Sequence, residues 1–273
     1  MDKPNQNQID FWNGPAGQQW VDDQAQVDAL LAPLSEPALQ SAAPQPAERV
    51  IDIGCGCGTT SMRLAVHAAA VHGVDISEPM VGWALERSKS IDNVTFEVAD
   101  ASVWRGEQPS DLAFSRFGVM FFDDPVAAFS NIHANLKPGG RLCFVCWRAP
   151  QDNPWMSVAG AAAAPFVPEA PPQEGPNPFA FADPAYVTSI LSDAGFTECE
   201  MTLNEATLTL GADVESTIQF LTRLGPLARV LTELEGEQLD KALNAVREAL
   251  APAATSEGVQ LGASTWIVTA QAT

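Results

Sequence analysis

The chain has 273 residues, 34 acidic against 14 basic, for a formal charge of −20. A surface this anionic repels phosphate backbones and acidic membranes, which argues against nucleic acid as a partner and fits solubility. A hydrophobic fraction of 46% supplies core for one large domain, or a domain with a lid.

The opening "MDKPNQNQID" is polar and lacks the apolar stretch of a secretory leader. Residues 1–46 predict a helical lid broken at Pro33, Pro37, Pro44 and Pro46, ahead of a main domain over 47–273. Strand patterns follow near 49–54, 71–75, 94–99, 111–116 and 141–147, with helices near 59–69, 78–89 and 125–136. This βα alternation predicts an α/β fold, a parallel sheet covered on both faces.

Residues 148–184 are too proline-rich for a core element and are expected to form an insert after the fifth strand. Its apolar run "VAGAAAAPFV" at 158–167 is too short to span a bilayer, so no membrane span is expected. Helical signals resume at 184–194 and close at Gly195, a C-cap glycine. A strand near 198–210, helices over 213–224 and 236–250, and a final edge or hairpin strand in "VQLGASTWIVTA" complete the pattern. In the last helix Leu239, Leu243, Val246 and Leu250 share one face. Five cysteines, an odd count without an extracellular pattern, point to a reducing cytoplasm.

The most informative stretch is "VIDIGCGCGTT" at 50–60. Gly54, Gly56 and Gly58 end a buried strand and precede a helix, so a ligand can lie against the main chain beside unpaired helical N–H groups. Asp75, 21 positions after Gly54, ends the second strand, where a carboxylate accepts ribose hydroxyls. Thr59 stands where a dinucleotide fingerprint requires its third glycine, and Asp75 disfavours a 2′-phosphate.

Together "VIDIGCGCG", "VHGVDIS", "VTFEVADAS" and "NLKPGGRL" resemble the class I S-adenosylmethionine-dependent methyltransferases over about 48–147. Within that superfamily the chain looks like the branch containing ubiquinone/menaquinone C-methyltransferase-like and related small-molecule enzymes. The resemblance implies a Rossmann-like, doubly wound, mostly parallel seven-stranded sheet that binds S-adenosyl-L-methionine. It implies that Asp52, Gly54, Cys55 and Gly56 face the methionine moiety, with Asp52 acting partly through its ammonium, and that Gly58 belongs to the same cofactor-binding turn. Asp75 would hold the ribose, with Ile76 and Met80 near the adenine. Asp100 and Ala101 would meet the adenine edge, and Ser115, Arg116 and Phe117 would lie beside the transferring methyl. Arg116 departs from many relatives and leaves open what it binds: cofactor, substrate carboxylate or a neighbouring acid.

In "FWNGPAGQQW" Trp12 and Trp20 flank two glycines, and the resemblance implies an N-terminal helix closing over the donor. A sulfonium gains from an aromatic face, so Trp20 is assigned to the donor and Trp12 to the substrate pocket. The insert carries Trp147, Arg148, Asn153, Trp155, Phe179, Phe181 and Tyr186, a set suited to covering a small organic substrate; of these, Trp147 and Trp155 are assigned to the pocket.

No metal site is expected: Cys143 and Cys146 fall on opposite strand faces, and Cys55 and Cys57 have no histidine at finger spacing. His133 reads as a packed helix residue with one backbone partner, and Asp123 or Asp124 as the cap of the helix opening at Pro125. No general base is assigned. The alternatives to methyl transfer are an aminopropyl transferase on the same fold and a non-catalytic cofactor-binding regulator; the insert weighs against the regulator, since a sensor needs no acceptor chamber.

Overall fold

The computed structural model describes residues 4–167, 176–231 and 234–273. Helices α1 (Gln6–Trp12), α2 (Pro15–Asp22) and α3 (Gln24–Ala42) precede β1 (Arg49–Ile53), α4 (Thr59–Ala65), β2 (Ala70–Asp75), α5 (Glu78–Arg87), β3 (Val94–Val98), β4 (Ser110–Arg116), α6 (Pro125–His133) and β5 (Leu136–Trp147). Then come α7 (Pro154–Ala163), α8 (Pro184–Asp193), β6 (Phe196–Gly211), α9 (Val214–Leu221), α10 (Pro226–Leu231), α11 (Gly236–Leu250), β7 (Ala254–Thr255) and β8 (Gly258–Ala272).

Seven strands run in the order β3-β2-β1-β4-β5-β8-β6, with the short β7 paired to β8. β1 to β5 are parallel, whereas β8 runs antiparallel to both β5 and β6. Helices cover both faces, so the central strands bury both sides and read as near-continuous apolar runs. Ile51, Ile53, Phe129 and Phe144 belong to one core layer, and Val50, Leu64, Leu112, Phe114 and Val145 to the other. Among the described residues no helix is long and apolar enough to cross a membrane.

Three expectations change. The break expected at Pro33 and Pro37 does not occur, because α3 runs through both. Its opposite face buries Val27, Leu30, Leu31, Leu34, Ala38 and Ala42 against β5, β6 and β8, and this packing outweighs the missing N–H donors. The last strand forms a hairpin with β7 but is not an edge: β8 lies between β5 and β6, with Phe144 opposite Val268 on one side and Leu203 opposite Trp266 on the other. Within 148–184, residues 168–175 lie outside the described residues, but α7 is a core helix that buries Met156, Ala159 and Ala163.

Residues 259–264 of β8 pair with β6 but not with β5, so the two strands continue past the sheet as a ribbon. Helices α7, α9 and α11 pack on or beside that ribbon, over Leu208, Leu210, Ala242, Val246 and Val259. Buried Asn153 fastens α7 to it: Nδ2 donates to the Ser264 carbonyl at 2.9 Å and Oδ1 accepts the Ser264 N–H at 2.9 Å.

Candidate active site

The site gathers where the parallel strands end. At the close of β1 the chain turns through Gly54, Gly56 and Gly58 with φ of +65°, +52° and +80°, a region disfavoured for other residues. A Cβ on Gly54 would sit 2.8 Å from the Gly118 Cα, so the glycine turn and the turn after β4 touch backbone to backbone. A Cβ on Gly58 would strike Phe96 and Ala84, whereas one on Gly56 would meet nothing nearer than the Met80 sulfur at 3.7 Å. Gly54 and Gly58 are thus required by packing as well as by φ. Gly56 leaves its main chain open.

Asp75 closes β2 with both oxygens engaged: Oδ2 accepts the Gly56 N–H at 2.8 Å and Oδ1 the Ser77 N–H at 2.9 Å. Each carboxylate oxygen keeps a further acceptor site. Burial raises the Asp75 pKa, with the backbone N–H groups of Ser77, Gly56 and Ile76 pulling it back. Asp52 is fully buried within β1. Its Oδ2 accepts from Ser61 at 2.5 Å and Thr60 at 2.7 Å, while Oδ1 has no partner among the described residues. Burial pushes the Asp52 pKa up to about 6, against those hydroxyls and the charge of Arg116. A buried, orphaned carboxylate oxygen suits a cationic group with N–H donors.

The third acid, Asp100, follows β3 and accepts the Ser102 N–H at 2.9 Å. Ala101 is nearly buried, its carbonyl held by Asn131 at 2.8 Å. At the tip of β4, Arg116 donates through both terminal nitrogens to Asp28 of α3 at 3.1 Å. The neighbouring acid is therefore its partner. Asp28 also accepts from Thr59 at 2.5 Å, tying α3 to the glycine turn. Phe117, with φ of +59°, lies flat on Trp147 at 4.0 Å between centroids, and Trp155 tilts against Trp147 at 5.1 Å.

Helices α1 and α2 lie across the same end. The Trp12 carbonyl accepts from Ser77 at 2.8 Å, Asn13 donates to the Ile76 carbonyl at 2.8 Å, and the Asn13 side-chain oxygen accepts the Glu78 N–H at 2.8 Å. Trp12 meets Trp20 and Phe121 edge-on at 5.7 and 6.1 Å. The glycines, Asp52, Asp75, Ile76 and Met80 therefore surround one turn, joined by Trp12 and Trp20 from the N-terminal helices.

Several side chains do other work. The Ser115 hydroxyl is fully buried, donates to the Ile53 carbonyl at 2.7 Å and accepts the Gly118 N–H at 3.3 Å, so it joins β4 to β1. The Cys55 sulfur points back towards Gly73, which leaves only its main chain for a ligand. Cys143 and Cys146 face α3 and Phe181 on opposite sides of the sheet. Burial raises the pKa of these thiols, with Cys57 and Cys143 at about 12, so none is a thiolate near neutrality. His133 packs edge-on against Phe196, as expected of a packed helix residue, and its Nε2 has no partner among the described residues. Asp124 caps α6 as expected, accepting the Ala127 N–H at 3.0 Å.

Sequence reasoning missed Asn5, Asn13, Asp28 and Gly118. Only Gly118 left a usable signal, a glycine just past the end of a predicted strand.

Residues 50–140 match the family described as a methyltransferase domain. Phosphoethanolamine N-methyltransferase 2 of Caenorhabditis elegans is 36% identical over 105 residues, covering 36% of this chain and 23% of its own length. The chain spans less than a quarter of the length of the first such relatives. The structure of YcgJ from Bacillus subtilis superposes with a TM-score of 0.59 at 16% identity, over 88% of this chain and 97% of that one. Haemonchus contortus phosphoethanolamine N-methyltransferase 2, in complex with phosphomonomethylethanolamine and S-adenosylhomocysteine, superposes with a TM-score of 0.51 at 20% identity, over 88% and 52%. At these identities the two structures establish the fold. The chain therefore has the fold of these structures, and its residues 50–140 match a methyltransferase domain.

Proposed function

We propose that this protein methylates a small apolar or aromatic metabolite, with S-adenosyl-L-methionine as donor. The acceptor side of this reading is carried by the flat stack of Phe117 on Trp147 at 4.0 Å, extended by Trp155, beside the tip of β4. Trp147 is buried, and the partly exposed Phe117 and Trp155 offer a planar or greasy acceptor aromatic surface with few charges to desolvate. The net charge of −20 weighs against nucleic acid as acceptor. All five cysteines are free and four are buried, as suits a reducing compartment, and we place the protein in the cytoplasm.

On the donor side, the Gly54–Gly58 turn receives the methionine moiety and Asp52 Oδ1 takes its ammonium. Asp75 accepts the ribose hydroxyls with its spare acceptor sites, while Ile76 and Met80 border the adenine and Asp100 and Ala101 meet its edge. Trp12 and Trp20 close the front from α1 and α2, which serve as the lid. The bound donor supplies a methyl group on a sulfonium, whose departure as a neutral thioether needs no acid. The chain's own task is to fix the acceptor in line and exclude water; orientation of this kind accounts for about 7–11 kcal/mol of a barrier. Arg116, neutralised by Asp28, holds the glycine turn and the β4 tip together from behind.

Calorimetry tests the reading: S-adenosylhomocysteine should bind and NADH should not. Asp75→Ala should weaken S-adenosylhomocysteine at least about tenfold, from the loss of hydrogen bonds to a charged group, with little change in melting temperature. Unchanged affinity would remove Asp75 from the ribose. Methyl-labelled donor incubated with cell extract, followed by isolation of the labelled product, would identify the acceptor.

A further inference from the structure

Asn5 precedes α1 and is 3% exposed, with φ of +55°, a left-handed conformation that asparagine tolerates. Its side-chain nitrogen donates to Asp100 Oδ1 at 2.9 Å, to Asp100 Oδ2 at 3.0 Å and to Ser102 Oγ at 3.1 Å. Its backbone N–H donates to Asp123 Oδ2 at 2.8 Å, and its side-chain oxygen accepts the Asp123 N–H at 2.8 Å. One residue thus bridges the loop after β3 and the loop leading into α6, from 95 and 118 positions away. With every polar atom of its side chain used, it is a built junction and not a frayed terminus.

We propose that Asn5 is a positioning residue for nucleobase recognition, setting the orientation of the Asp100 carboxylate for an exocyclic amine. This rests on the reading of Asp100 as the acid at the adenine edge. An ionised carboxylate only accepts, and an unrestrained one rotates to suit whatever donor arrives. With Asn5 on both oxygens and the Ser102 N–H on Oδ1, the carboxylate plane is fixed before the ligand enters. A 6-amino purine then meets aligned lone pairs. A 6-oxo purine presents an acceptor to a fixed acceptor and is rejected, because the carboxylate cannot turn away.

The test is calorimetry of the full chain with two probes, S-adenosylhomocysteine and its 6-oxo analogue S-inosylhomocysteine. The wild type should prefer the 6-amino ligand by about tenfold or more. In Asn5→Ala, affinity for S-adenosylhomocysteine should fall while that for the 6-oxo analogue changes by less than about twofold, so that the preference collapses. Asn5→Asp keeps the shape but faces two acids with an acceptor; it should lose the preference as well and serves if the alanine variant folds poorly. Equal proportional loss for both ligands would overturn the proposal, leaving Asn5 as a fastener of the N-terminal helices, and an unchanged preference would overturn it too. A wild type that binds neither ligand would instead overturn the donor reading, a result distinct from either.

Discussion

Asp52 is a carboxylate sealed inside a strand, and its protonation couples the fold to the donor. Burial pushes its pKa up to about 6, above the ordinary carboxylate range. The native state therefore holds this proton more tightly than the unfolded chain does, so the group opposes folding above about pH 6 and the opposition fades as pH falls towards about 4. Asp52→Asn should raise the melting temperature at neutral pH, and the gain should shrink as pH falls and vanish below about pH 3, where both states carry the proton. An ammonium pairs only with the ionised form. S-adenosylhomocysteine affinity should accordingly fall below about pH 6 in the wild type and stay flat through that region in the asparagine variant. A flat wild-type profile by calorimetry would take Asp52 away from the ammonium.

Helix α3 shows how an element can defy its local sequence. Pro33 is exposed and supplies no N–H, so the Ala29 carbonyl loses its helical partner. Pro33→Ala should stabilise the protein by about 1–3 kcal/mol, read as a higher urea midpoint, with part of the gain offset by a more flexible unfolded chain. A lower midpoint would mean that the proline ring makes packing that the exposed face does not suggest. The same contrast explains what was legible beforehand. The glycine turn, Asp75 and the βα alternation are local signals, set by φ, strand ends and apolar runs, and each falls where expected. The continuity of α3 and the burial of α7 depend on partners far along the chain, which no local pattern reports. The same holds for Asn5 on Asp100 and Asp28 on Arg116, pairs separated by 95 and 88 positions. Ser115 fell on the right strand end, but which way its hydroxyl would turn was decided by the Ile53 carbonyl across the ladder.

Across the whole molecule, a charge of −20 sets up repulsion that only the compact state concentrates. The ion pairs on the surface, such as Lys137 with Asp111 and Arg223 with Asp23, relieve it locally and contribute little each. Raising sodium chloride from low to physiological strength should therefore raise the melting temperature, since screening weakens long-range repulsion more than these short contacts. A melting temperature that falls with salt would give the ion pairs the larger share. The insertion of β8 between β5 and β6 has a consequence for the order of assembly. A ribosome delivers residues 196–211 well before 258–272, yet among the described residues the later segment is the sole ladder partner of the earlier one and covers the open flank of β5. Until it emerges, the growing polypeptide holds two unsatisfied borders and a half-covered apolar layer, so the second half of the protein waits on its own tail before it can lock.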